Sequence, residues 1–124
     1  MCPPMGYETD LKLFIDGVWK SGEGRDAHAV LNPVDGKAMA DVPYASQADI
    51  HEAIAAPQRT CPEWRSTEVE KRSAILHETA TLLRERADQI GATMTQEQGK
   101  IIAESKAEVM GSAQLFDWYA EEIK

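Results

Sequence analysis

Between Thr67 and Gly99 the apolar residues Ile75, Leu76, Leu82, Leu83, Ala87, Ile90 and Met94 recur mostly at helical spacings of three and four. Such spacing lays a single stripe along a helix, and a helix with one apolar stripe must bury it against another element. Thr67-Glu68-Val69-Glu70 opens the stretch with capping-box spacing, and Glu68 and Glu70 fall in the first turn, at the positive end of the helix macrodipole. Gly99 closes it as a residue that accepts positive φ past the last turn. One long helix is therefore expected here, and the rest of the chain must help to cover its stripe.

Upstream the period shortens. Leu11 to Ile15 and Val18 to Lys20 are short apolar runs separated by Asp16-Gly17, a dipeptide suited to a tight hairpin turn. His28 to Leu31 and Met39 to Val42 form a second extended pair, joined through Asn32-Pro33-Val34-Asp35-Gly36, where proline fixes φ and glycine accepts what other residues avoid. We expect these pairs to be antiparallel hairpins.

Helical character begins at Ser46-Gln47-Ala48-Asp49, a hydroxyl at a candidate N-cap with a carboxylate three residues on. Pro57 has no backbone donor and crowds the preceding turn, so this helix should stop near Ala55 or Ala56, with a loop through Cys61-Pro62. A last helix is expected from about Ala103 to the final residue, with a stripe of Val109, Ala113, Phe116, Ala120 and Ile123 that Met110, Leu115 and Tyr119 widen. That width implies two neighbours. No glycine, asparagine or proline stop follows, as though the chain were cut inside or just after an element. The reading is an α+β segment, short N-terminal antiparallel strands followed by three helices. It divides into a flexible terminus over 1–10, a strand-rich part over 11–45 and a helical part over 46–124.

Composition excludes several function classes. The chain has 124 residues, enough for one core, and its 43% hydrophobic and 27% charged content is that of an ordinary soluble protein. With 21 acidic and 13 basic side chains the formal charge is −8, which argues against nucleic acid and anionic membrane surfaces as partners. No apolar run approaches the ~20 residues of a membrane helix, and the first ten residues lack the features of a signal peptide. A cytoplasmic location is expected. Cys2 and Cys61 lie far apart with no neighbouring thiol, so both read as free thiols.

Candidate chemical motifs fail on context. Gly22-Glu23-Gly24-Arg25-Asp26-Ala27 matches a dinucleotide-loop pattern, but a strand pattern follows instead of a helix, and Glu23 and Asp26 would repel a pyrophosphate. Gly99-Lys100 lacks the earlier glycine and the following hydroxyl of a phosphate loop, since Met94 and Ile101 stand there. His28, His51 and His77 are scattered without metal-ligand spacing. Glu104 with Glu108 and Glu121 with Glu122 read as solvated pairs on polar helix faces. Cys61 has no base or helix N-terminus beside it to make a thiolate. Phe116, Trp118 and Tyr119, with Trp64, read first as core and second as an aromatic binding wall.

Read in order, Leu13-Phe14-Ile15-Asp16-Gly17-Val18-Trp19, Asn32-Pro33-Val34-Asp35-Gly36 followed by Val42-Pro43, Pro62-Glu63-Trp64-Arg65, Glu97-Gln98-Gly99-Lys100 with Ala103-Glu104, and Trp118-Tyr119-Ala120-Glu121-Glu122 strongly resemble the start of the aldehyde dehydrogenase superfamily. The form of the last stretch is most like the succinate-semialdehyde branch. The resemblance covers nearly everything after Leu11. It departs from the family at Pro57, which would interrupt a helix that usually continues, and at Ile101-Ile102, where a helix-entry proline is usual.

What the resemblance implies is an α/β family fold and oxidation of an aldehyde to an acid. In the family a cysteine thiolate attacks the carbonyl, hydride passes to NAD or NADP, and a glutamate activates water. The Pro-Trp-Asn motif, the glutamate and the nucleophilic cysteine of the family have no counterpart in these 124 residues. No catalytic or cofactor-binding residue is therefore assigned, neither Cys2 nor Cys61 takes the nucleophile's place, and no cofactor is expected to bind this chain alone. The resemblance makes residues 46–124 the helical part of an incomplete cofactor-binding domain and puts Gly111 and Leu115 on the wall of the substrate tunnel. It implies a small aldehyde substrate and a homo-oligomer for a complete protein, with this chain an N-terminal fragment inactive by itself. A non-catalytic helical interaction module is the alternative.

Overall fold

In a computed structural model of the chain, which describes residues 7–124, Asp16 and Gly17 take φ of 51° and 77° and close a hairpin between β1 (Leu13–Ile15) and β2 (Val18–Lys20). Positive φ at both central residues gives the turn a twist that matches its strands, which is why this dipeptide holds the register Ile15 to Val18. β3 (Ala27–Leu31) and β4 (Ala38–Pro43) pair antiparallel, with Ala27 opposite Pro43 and a register shift at Val30/Leu31. Their connection is closed locally. The Gly36 amide donates to the Asn32 carbonyl at 2.8 Å, Gly36 has φ 70°, and the Asn32 and Asp35 side chains accept from the amides of Val34 and Lys37.

α1 (Gln47–Ser66) begins where the sequence indicates, since the Asp49 amide donates to Ser46 Oγ at 3.2 Å and the Ser46 amide to Asp49 Oδ2 at 2.8 Å. It does not stop at Ala56. The helix continues through Pro57 and Pro62 to Ser66, so the expected loop at Cys61-Pro62 is absent and the interruption expected at Pro57 does not occur. A helix-interior proline leaves the carbonyl four residues back without its donor, here those of Ala53 and Gln58. Both residues are exposed, so water can replace the missing donors. β1 lies against α1, and Ile15 and Ala56 are the buried apolar residues of this unit, which ends at Ser66.

The second compact unit runs Thr67–Lys124. The expected long helix is present but divided into α2 (Val69–Glu85) and α3 (Ala87–Gln98) at Arg86, whose φ of −102° and ψ of 9° break the repeat. α2 starts one residue later than a Thr67 cap would place it, with Glu68 as N-cap. Gly99 ends α3 at φ 72°, its amide donating to the Thr95 carbonyl at 2.9 Å, as a left-handed C-cap requires. α4 (Ile102–Glu122) follows after an extended Ile101 and starts without the proline usual in the family. The described residues thus hold four helices, one more than the sequence pattern indicates, after two antiparallel strand pairs. The expected flexible terminus over 1–10 falls largely outside the described residues.

α4 returns antiparallel along α3 and then α2. Thr95 Oγ1 meets Ser105 Oγ at 2.9 Å, Asp88 meets Lys106 at 2.7 Å, and His77 meets Asp117 at 2.7 Å. The seam is built from small residues. Ser105, Ala113 and Ala120 on α4 are fully buried with Val109, facing Ser73 and Ala80 on α2 and Ala87 and Gly91 on α3. Short side chains let the helix surfaces interlock at close range, and a β-carbon added at Gly91 would stand 2.9 Å from Lys106 Cγ and 3.3 Å from its backbone nitrogen. The large members of the expected stripe sit beside the seam: Leu76, Leu83, Ile90 and Met94 are half-buried, whereas Ile75 and Leu82 are exposed.

Candidate functional site

α4 meets two neighbours, α2 and α3, as its wide stripe implies, yet the residues that widen the stripe are not the ones that make the contacts. Met110, Leu115 and Tyr119 are exposed. The helix sorts its side chains by size, small ones toward the hairpin partner and large ones away. Trp118 and Tyr119 are both 54% exposed and stack edge to face with ring centroids 4.8 Å apart, and Trp64 on α1 is exposed as well. The expectation that these aromatics are core therefore fails within this chain, while Phe116 is half-buried.

Gly111 and Leu115 are one helical turn apart on α4, so they lie on the same side of it. A β-carbon at Gly111 would meet no atom within 4 Å, and Leu115 is 58% exposed. Leu115 joins Ser112, Phe116 and Tyr119 around an open, largely apolar depression of about 260 Å3; Gly111 is outside it. Such a surface offers shape and apolar contact. It presents one hydroxyl from Ser112, one from Tyr119, and no ionised group.

Two polar clusters were not legible in the sequence. In the first unit Asp49 is only 4% exposed. Its carboxylate accepts from both guanidinium nitrogens of Arg25, from Lys20 Nζ at 3.4 Å and from the Ser46 hydroxyl and amide. The Arg25 hydrogen bonds first, then those from Ser46, hold the Asp49 carboxyl well below the usual aspartate range. Lys20 also reaches Glu52 at 2.6 Å, and that hydrogen bond chiefly raises the lysine's pKa. The cluster ties the strand segment to the first turn of α1. Every group in it has its counter-charge, which marks an ion-pair network instead of a reactive centre.

In the second unit His77 on α2 holds Asp117 Oδ1 at Nδ1, 2.7 Å away, and Glu121 Oε1 at Nε2, 2.9 Å away. Asp117 also accepts from Arg84, and Glu121 from Lys124 at 2.9 Å. Hydrogen bonding to Asp117 and then Glu121 raises the imidazole's pKa; bonding to Arg84 and then His77 lowers that of Asp117, and bonding to Lys124 and then His77 that of Glu121. Both ring nitrogens are engaged by carboxylates, so neither is free to serve as a base. Glu121 is not merely solvated, nor is Glu108, which pairs with Lys100.

The remaining expected features are placed as follows. Cys61 is a free, exposed thiol within α1, and Cys2 lies outside the described residues. Among the described residues no group of three or more histidine, cysteine, aspartate or glutamate side chains could hold a metal ion, and no helix is long and apolar enough to cross a membrane. The Gly22-to-Ala27 turn, with its Arg25 amide donating to the Gly22 carbonyl at 3.1 Å, leads into β3 and not into a helix. It therefore does not fit a dinucleotide, whose pyrophosphate needs a helix N-terminus at that point.

Against this geometry the relatives are informative. The sequence model of the aldehyde dehydrogenase family matches residues 19–124. The chain is 35% identical over 113 residues to a glutarate-semialdehyde dehydrogenase of Pseudomonas putida, covering 91% of this chain and 24% of that protein. It is 36% identical over 113 residues to an NADP(+) succinate-semialdehyde dehydrogenase of Escherichia coli, covering 91% of this chain and 23% of that protein. Its fold matches that of gamma-glutamyl-gamma-aminobutyraldehyde dehydrogenase from Burkholderia cenocepacia with a TM-score of 0.88 at 30% identity, over 95% of this chain and 24% of that one. The chain thus spans about a quarter of the length of the relatives it matches. On sequence and fold together, it belongs to the aldehyde dehydrogenase family.

Proposed function

We propose that this chain is the N-terminal structural part of an NAD(P)-dependent semialdehyde dehydrogenase that oxidises succinate semialdehyde or a close homologue to the acid. The observation that carries this reading is the sorting of α4, which keeps its small residues for α2 and α3 and leaves Met110, Leu115, Trp118 and Tyr119 outward. A contiguous apolar helix face of that kind fits a surface that another part of a protein covers. The relatives' names add the substrate class: glutarate and succinate semialdehydes are both short chains ending in a carboxylate.

In this reading the chain supplies walls and packing, and the reacting groups belong to the rest of the dehydrogenase. Gly111 and Leu115 form one wall of the substrate tunnel, the missing side chain at Gly111 leaving room for the aldehyde chain. The complete enzyme is a cytoplasmic homo-oligomer, and the chain alone is inactive.

The test is NAD- and NADP-dependent oxidation of succinate semialdehyde by the purified chain, alone and mixed with a polypeptide spanning the other three quarters of such a relative. Activity only in the mixture supports the proposal. Activity from the chain alone overturns it, and activity from neither returns the reading to a non-catalytic helical module that binds a partner through the same face. In an active mixture, Gly111→Phe should raise the KM for longer aldehydes, and unchanged kinetics would remove Gly111 from the tunnel.

A further inference from the structure

Two carboxylates occupy the two ring nitrogens of His77, Asp117 at Nδ1 and Glu121 at Nε2. A neutral imidazole carries one N–H and one lone pair, so it can donate to only one of them and turns its lone pair on the other. Only the imidazolium satisfies both. From this geometry we infer that His77 is a pH-dependent clasp, which in its protonated form binds both carboxylates of α4 to α2 and on losing its proton releases the last turn of α4.

The surrounding charges decide which contact opens. From α4 and its end the imidazole faces Asp117 and Glu121, with Lys124 behind Glu121; from its own helix Arg84 reaches Asp117. Asp117 is 34% exposed and keeps Arg84 when the imidazole becomes neutral, whereas Glu121 is 60% exposed and readily returns to water. Deprotonation therefore leaves His77 donating to Asp117 and frees Glu121. The other end of the hairpin is fastened by Thr95 with Ser105, buried hydroxyls that do not titrate in this range. Opening is thus confined to the end of α4 that carries Trp118 and Tyr119.

The sign follows from the same groups. The His77 pKa is raised above its ordinary 6.5, so the clasp is complete below 6.5 and is lost as pH rises through the higher folded value. Asp117 and Glu121 have lowered values, so their share is lost only in acid, below the ordinary carboxylate range. The end of α4 is most firmly held between those limits.

The experiment is amide hydrogen exchange on the full chain from pH 5.5 to 9, corrected for intrinsic exchange, with the imidazole titration followed by NMR. Protection at 117–122 should fall about two- to fivefold across the histidine titration, the range of a partly exposed ion pair, while protection at 105–109 stays level. His77→Gln should show low protection at all pH values, and His77→Lys, which keeps a cation, should remove the pH dependence while retaining part of the protection. Equal pH dependence in wild type and His77→Gln would overturn the inference. If the variants do not fold, the wild-type titration still decides: a His77 pKa no higher than those of His28 and His51 would also overturn it.

Discussion

Two glycines interrupt the helices of the second unit, and replacing each by alanine should have opposite effects. Alanine is favoured over glycine in a helix interior by about 0.8–1 kcal/mol, largely because glycine loses more backbone freedom on folding. At Gly111 that gain should appear in full, since a β-carbon there meets nothing within 4 Å. At Gly91 the new carbon stands 2.9 Å from Lys106 Cγ, 3.3 Å from Lys106 N and 3.4 Å from Lys106 Cα. The first contact can be relieved by moving the lysine stem, which also carries the ammonium away from Asp88. The other two are with backbone and yield only if α3 and α4 separate, loosening the packing of Ser105 and Val109. Forcing atoms into a well-packed seam costs about 1–3 kcal/mol, so Gly91→Ala should be destabilising by up to about 2 kcal/mol after its propensity gain is subtracted. Urea unfolding of the 124-residue chain, followed by circular dichroism, reads both variants. Gly111→Ala should raise the midpoint and Gly91→Ala lower it. Lys106→Ala in the Gly91→Ala background removes the Cγ contact and isolates the backbone part. A Gly91→Ala gain equal to that at Gly111 would refute the close α3–α4 approach.

Two further effects should be measurable on the same chain. Pro57→Ala restores a donor to the Ala53 carbonyl; the ~3 kcal/mol helix penalty of proline, less the ~1 kcal/mol by which proline restricts the unfolded chain, predicts a gain of about 2 kcal/mol in a urea titration, and a loss would mean the ring has a packing role. Asp49→Asn should lower the stability of the first unit at neutral pH by removing the counter-charge of Arg25. Because the folded Asp49 pKa lies below its ordinary 3.8, the wild-type advantage should be full above 3.8 and disappear as pH falls through the lower folded value, and a difference that persists in strong acid would exclude the carboxylate as its source.

The elements read correctly from sequence are those whose cause is local. The Asp16-Gly17 turn, the Ser46-to-Asp49 capping box and the Gly99 stop each depend on a few neighbouring residues, and each is found in place. Pro57 is the instructive failure. Its penalty is real, but it falls on carbonyls at exposed positions, and no local pattern states that exposure before α1 is placed on β1. The break at Arg86 carries no sequence mark either, since Glu85-Arg86-Ala87 contains neither proline nor glycine. The His77 contacts join residues 40 and 44 positions apart, so spacing rules applied to His77 or to Glu121 alone find nothing.

Periodicity identified the correct helix sides and ranked their residues wrongly, and the reason is geometric. A stripe of large apolar residues signals burial by area, because each such side chain removes more surface from water. A two-helix seam selects by distance, and Ser105, Ala113 and Ala120 are the residues that let α4 approach α2 and α3. Only one side of α4 can meet that hairpin, so an apolar stripe wider than the seam must leave its outer members uncovered. Leu115, Trp118 and Tyr119 are those members. The width of a stripe therefore measures how much apolar surface a helix can give to neighbours, while the position of its small residues tells which part of it the neighbour within this chain takes.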